Sequence, residues 1–221
     1  KFRGEPQLLD AELLYFYPPA TNGPCPRPRA GHSCTLINDK LIIFGGNNGS
    51  ASYNDVYVLQ LNTWTWEQPK IWGNKPEPRA YHAATAVGSS IVIYGGSDSK
   101  RTFDSVYILN TDGWIWQKIE VSGVPLPPLS GHESILKDNK IFYVGGWDTH
   151  GDNEEEGKST CSARVFSLDT KAWVSEIEGT NKSLARVGHR VVADGSNLLM
   201  FGGRRDDNRL ANDLRISLGQ Q

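Results

Sequence analysis

An all-β propeller of four-stranded antiparallel blades is the fold class this sequence predicts, and three regularities predict it. Four histidines are each followed thirteen residues later by a glycine pair: His32 with Gly45-Gly46, His82 with Gly95-Gly96, His132 with Gly145-Gly146, and His189 with Gly202-Gly203. The first two steps between these histidines are equal and the third is slightly longer. A period of roughly 50 residues belongs to propeller blades rather than to catalytic motifs. An aromatic stands seven residues before a tryptophan in three repeats, as Tyr57 and Trp64, Tyr107 and Trp114, and Phe166 and Trp173.

Residues 31–66 show how one unit is built. Ser33-Cys34-Thr35-Leu36-Ile37 reads as a strand that ends at the turn signal Asn38-Asp39. The apolar run Leu41-Ile42-Ile43-Phe44 suits an inner strand covered on both faces. After the polar loop 47–54, Val56-Tyr57-Val58-Leu59 gives a third strand, and Asn62-Thr63 turns into Trp64-Thr65-Trp66 as a fourth. This is the meander of a propeller blade. It recurs at 81–116 and 131–175, and its first three strands recur at 189–218. Residues 13–17, Leu-Leu-Tyr-Phe-Tyr, read as a fourth strand without its blade. Pairing 13–17 with 189–218 would complete a fourth blade and cover two exposed edges. Arg215 stands where Tyr57 and Tyr107 predict an aromatic.

Self-similarity along all 221 residues predicts a single domain, 1–221, because stacked repeats share one continuous core. A hydrophobic fraction of 38% with seven Trp, eight Tyr and seven Phe supports that core. The formal charge of −2 argues against nucleic acid or an anionic membrane as partner, and no apolar run approaches the roughly 18 residues of a membrane span. Cys25, Cys34 and Cys161 form no C-x-x-C pair, which points to reduced thiols in the cytoplasm or nucleus. The chain opens at Lys1 without Met, so it reads as an excerpt or a processed piece of a longer protein.

Paired glycines followed by an aromatic, six residues and a tryptophan resemble the kelch motif, and the resemblance spans nearly the whole chain. The Gly-x-x-Pro-x-Pro-Arg lead-in at 73–79 is similar to that of host-cell-factor-type kelch proteins, and no BTB-like segment accompanies it. The resemblance implies a structural role for Gly45, Gly46, Gly95, Gly96, Gly145, Gly146, Gly202 and Gly203. It implies the same for His32, His82, His132 and His189, and for Trp64, Trp114 and Trp173. Kelch relatives usually have five to seven blades, so a fragment of a larger kelch ring stays open beside closure at four.

Chemistry must lie where the repeats differ. Four histidines in separate blades do not converge on one ion within about 2 Å as metal ligands must, so no metal or other cofactor is expected. Arg29, Arg79 and Arg186 each precede a histidine by three residues, Leu129 breaks the series, and a ring of interblade hydrogen bonds explains them. The stretch from Gly146 to Phe166 is nearly twice as long as that from Gly46 to Tyr57. Its extra sequence is acidic, with Asp148, His150, Asp152 and the run 154–156. The corresponding loop of the fourth repeat is basic.

Variable loops on a rigid scaffold are where binding usually resides. The sequence therefore predicts a monomeric scaffold or adaptor that binds a peptide or loop of another protein. Lys100, Arg101, Arg204, Arg205 and Arg209 would grip carboxylates or phosphates, Tyr53, Phe103 and Trp147 would supply apolar anchors, and Asp148 would join them. No Gly-x-Ser-x-Gly, phosphate loop or His-Glu-x-x-His motif is present, so no enzyme is expected. A propeller enzyme, or a metal-dependent small-molecule specifier using the central mouth, is the alternative.

Overall fold

The computed structural model describes residues 6–123, 127–148, 158–177, 185–195, 197–205, 207–211 and 214–217. All its regular elements are strands, and no described residue is helical. Blade 1 runs Ser33–Ile37, Lys40–Phe44, Val56–Gln60 and Thr65–Glu67, each antiparallel to the last. Blade 2 repeats this with Ala83–Val87, Ser90–Tyr94, Val106–Asn110 and Ile115–Ile119. Blade 3 has Glu133–Lys137, Lys140–Val144, Ala163–Ser167 and Ala172–Ile177. Blade 4 shows three strands, Val187–Asp194, Asn197–Arg204 and Leu214–Ser217.

The cores lie between blades, which explains why the second strands lack polar alternation. Ile42, Phe44, Val56 and Val58 of blade 1 pack with Ile91, Ile93, Leu109 and Trp116 of blade 2. Val92 and Tyr94 meet Ile141, Tyr143 and Phe166 of blade 3, and Val144 and Ala163 meet Val191, Leu198 and Met200 of blade 4. A strand covered by a blade on either side has no solvent face to make polar.

Backbone hydrogen bonds tie the blades together at the turn before each histidine. The N–H of Tyr81 donates to the Gly31 carbonyl at 2.7 Å, and Gly131 to Tyr81 and Gly188 to Gly131 at 2.8 Å each. The second glycine of each pair also reaches the next blade: Gly46 donates to the Arg79 carbonyl and Gly96 to Leu129 at 2.8 Å, and Gly146 to Arg186 at 2.9 Å. Lead-in residues 72–73 add a short parallel edge to the outer strand of blade 2, where Trp72 and Gly73 pair with Ile115 and Trp116. Gly73 needs to be glycine: its φ is +80°, and a Cβ there would lie 2.1 Å from the Trp116 carbonyl oxygen.

The structure corrects four expectations. Tyr15–Tyr17 pairs with Leu8–Asp10 instead of the last blade, so closure by 13–17 is not shown. Leu9 opposite Phe16 has the register of Leu59 opposite Trp66, which makes residues 8–17 the third and fourth strands of a further repeat. Phe16, unlike the buried Trp66, is 68% exposed. In blade 3, Phe166 faces Ile141 and Trp173, as Leu59 faces Leu41 and Trp66. The Phe166–Trp173 pair is therefore shifted by two residues from the Tyr57–Trp64 pair, and Arg164 holds the Tyr57 position. The segment from Gly146 to Ala163 is longer than the matching one from Gly46 to Val56, and this excess accounts for the wider step from His132 to His189.

Arg215 faces Leu199, so the Tyr57 register belongs to Leu214 instead. The lead-in arginines, finally, reach the neighbouring blade through the backbone of Arg79 and Arg186, while the guanidinium bonds to the glycine-pair carbonyls stay within one blade. Arg29 Nη1 donates to the Gly45 carbonyl and Arg79 Nη1 to Gly95, both at 2.9 Å, and Arg186 Nη1 donates to Gly202 at 3.2 Å. Residues 212–213 and 218, used to place the last repeat, lie outside the described residues.

Candidate partner-binding face

The loop that joins second to third strand occupies the same place in every blade, so these loops share one end of the scaffold. In blade 1 the Arg29 guanidinium lies over the Tyr53 ring at 4.4 Å and pairs with Asp55 at 2.6 Å. In blade 2, Arg79 lies over Phe103 at 4.2 Å and pairs with Glu77 at 2.9 Å. Phe103 is only 5% exposed. Tyr53 and Phe103 thus support the lead-in arginines, and Phe103 offers no exposed anchor to a partner. Cation–aromatic stacking of this kind fixes a rigid guanidinium without using its donor edges.

The basic residues divide between two loops. Arg101 pairs with Glu77 at 3.5 Å and lies over Phe103 at 4.9 Å, next to the exposed Lys100. Trp147, Arg204 and Arg205 come together on the blade 3 and blade 4 loops. With Val187 and Asn208 they line a cavity of about 210 Å³.

Each wall of this cavity is positioned by local structure. Trp147–Asp148 is a short strand held between Leu129–Ser130 and Lys158–Ser159. Arg204 Nη1 donates to Asn208 Oδ1 at 2.8 Å, and Arg205 N–H donates to the Arg209 carbonyl at 3.0 Å. Arg205 Nε is buried without a hydrogen-bond partner among the described residues. A buried donor of this kind calls for an acceptor, and an anionic oxygen is the strongest available. The Arg209 side chain is exposed beside Asp207, and Asp148 faces Arg164, whose Nη2 donates to its Oδ2 at 3.0 Å. His150, Asp152 and residues 154–156 lie outside the described residues. Among the described residues no group of His, Cys, Asp and Glu could hold a metal ion.

The histidines sit in the blade interfaces. His82 Nε2 shares a hydrogen bond with Ser33 Oγ at 2.9 Å, and His189 Nε2 lies 3.1 Å from the Val144 carbonyl oxygen. Burial, with Arg79 adding to it, holds the His82 imidazole down to about 3. Burial and His189 do the same for His132, at about 3, and burial and Arg186 bring His189 to about 4. All three are neutral at physiological pH. His32, on the first blade, is exposed.

One further residue belongs to this end of the scaffold. Tyr81 stands in the left-handed region at φ +60°, where its counterparts Gly31, Gly131 and Gly188 have φ +66°, +67° and +67°. A side chain costs about 1–2 kcal/mol in that conformation. Its signal was visible as the break in the Gly-His dipeptides. Tyr81 lines a second cavity, of about 180 Å³, between the loops of blades 1 and 2.

Four-stranded blades, glycine pairs and this stitching define a kelch-type propeller scaffold, and the comparisons agree. The family model for the KLHDC2/KLHL20/DRC7 Kelch-repeats domain matches residues 5–146, and the chain belongs to the kelch-repeat family. It is 39% identical over 61 residues to Kelch domain-containing protein 2 of Bos taurus, covering 28% of this chain and 15% of that protein. To Kelch domain-containing protein 1 of Homo sapiens it is 42% identical over 52 residues, 24% of this chain and 13% of that one. Acyl-CoA-binding domain-containing protein 4 of Arabidopsis thaliana matches at 40% over 50 residues, 23% and 8% of the two chains. Each match therefore spans a small part of a longer relative.

Proposed function

We propose that the chain is a monomeric, non-enzymatic interaction module, a scaffold or adaptor that grips an acidic peptide or loop of another protein. The observation that carries this reading is the meeting of Trp147, Arg204 and Arg205 around one cavity, with Arg205 Nε buried and awaiting an acceptor. A carboxylate or phosphate would take the guanidinium donors while the indole packs against the adjoining chain. Kelch-family membership supports the interaction role in general terms. A cytoplasmic or nuclear location is part of the same proposal, on the ground that three cysteines without a C-x-x-C pair suit reduced thiols.

An affinity pull-down with mass spectrometry tests the reading, comparing the wild type with the Arg204→Glu/Arg205→Glu variant. A protein recovered by the wild type and lost by the variant is the expected result. Equal recovery by both would move the binding site elsewhere.

A further inference from the structure

We infer that the cavity beside Tyr81 is a second binding site, shaped for a guanidinium or ammonium group on a basic side chain of a partner peptide. The repeats act as internal controls. Tyr81 makes the same interblade backbone bonds as its glycine counterparts: its N–H donates to Gly31 and its carbonyl accepts from Gly131. Glycine would therefore serve the backbone at this position without strain. The ring is nonetheless present, 48% exposed, and seated on Gly31, where a Cβ would lie 2.9 Å from its Cδ1.

The loop supplies a second departure. In blade 1, Asn48 Oδ1 accepts the N–H groups of Ser50 and Ala51 at 2.9 Å each. In blade 2, Asp98 Oδ1 accepts those of Lys100 and Arg101 at 2.7 and 2.9 Å. A neutral amide builds this turn as well as a carboxylate does, so the turn does not require the charge of Asp98. Both departures face one cavity, whose walls include Ser50, Ser52, Ser97 and Ser99 but no lysine or arginine.

These groups select a cation. Partial burial opposes the charge on Asp98, but the Lys100 and Arg101 N–H groups, aided by the positive charges of the Arg101 and Lys100 side chains, outweigh it and hold the carboxyl below its usual range. Both bonds fall on Oδ1, and among the described residues Oδ2 accepts none. Blade 3 shows what the same carboxylate position binds: Asp148 Oδ2 accepts from the Arg164 guanidinium at 3.0 Å. Blade 2 has Tyr107 at the Arg164 register, and the Arg79 guanidinium that lies over this ring pairs with Glu77, not with Asp98. The serine hydroxyls are further acceptors, and the Tyr81 ring attracts positive charge through its face. The inference is independent of the acidic-peptide reading of the Arg204–Arg205 cavity.

The test uses two probes, acetyl-Gly-Arg-Gly-amide and its citrulline counterpart, titrated into nitrogen-15-labelled protein and followed by amide NMR. The arginine probe is expected to shift residues 47–52 and 97–99 saturably, and the uncharged citrulline probe to bind at least about tenfold more weakly. Asp98→Asn, which Asn48 shows to be compatible with the turn, is expected to weaken the arginine probe by about tenfold or more, and Tyr81→Gly to weaken it as well. Arg204→Glu/Arg205→Glu is expected to leave it unchanged. No saturable shift, equal affinity for the two probes, or undiminished binding by Asp98→Asn would overturn the proposal.

Discussion

His82, His132 and His189 are buried where protonation is resisted, and the sign of the consequence follows. An unfolded histidine protonates near pH 6.5, whereas these three stay neutral to about 3, 3 and 4. Below about pH 6.5 the unfolded chain thus binds protons that the folded chain refuses, and stability falls as pH falls. Three such groups give a slope of about 4 kcal/mol per pH unit between roughly pH 6 and 4, and none above pH 7. Urea midpoints across this range should show the slope, and His132→Phe should remove about a third of it; a flat profile would mean that these histidines are solvated. Glycine gives a second residue-scale contrast. Gly88 has φ +55° with nothing within 4 Å of a Cβ, so Gly88→Ala should cost about 1 kcal/mol. Gly73→Ala must also push back the Trp116 carbonyl and should cost about 3 kcal/mol, read from paired denaturant melts.

Within a blade, the same task is met in two ways. Blades 1 and 2 bring a guanidinium from the lead-in, Arg29 or Arg79, to a strand that offers Tyr57 or Tyr107. Blade 3 has Leu129 in the lead-in and Arg164 at the tyrosine register, so apolar and cationic positions are exchanged. Arg79→Leu alone should destabilise by about 2–3 kcal/mol, because the Gly95 carbonyl loses a buried donor. Adding Tyr107→Arg should recover part of that loss in a double-mutant cycle. Strict additivity would show that the two positions are not coupled. The exchange also explains what the sequence concealed. Glycine pairs are constrained by backbone geometry and could be read directly, but Phe166 is a plausible match for Tyr57 by residue type alone. Only the ladder, with Phe166 opposite Ile141, reveals that it replaces Leu59.

Across the whole molecule, the fold was legible because interblade packing repeats its demands in every blade: a glycine pair, a histidine, an apolar second strand. The N-terminal strand was misplaced because an edge is decided by which neighbour is nearest, and Leu8–Asp10 lies closer in the chain than the last blade. The candidate site was legible in part. Trp147, Arg204 and Arg205 stood out as loop residues of unusual chemistry, and the structure brings them together. Tyr53 and Phe103 looked equally exposed in sequence, yet each lies beneath a lead-in arginine that only tertiary structure supplies. Tyr81 shows in the sequence only as a tyrosine where the other repeats have glycine before the histidine, and its positive φ is visible in the structure alone.

The Trp147–Arg204–Arg205 cavity is proposed to receive an acidic partner segment. Its most direct test is calorimetric titration of the recovered partner into the wild type, Arg204→Glu/Arg205→Glu, Trp147→Ala and a remote charge reversal, Lys118→Glu. Affinity is expected to fall at least about a hundredfold for the arginine pair and about tenfold for Trp147→Ala, and to stay unchanged for Lys118→Glu. Equal affinity across all four proteins would contradict it.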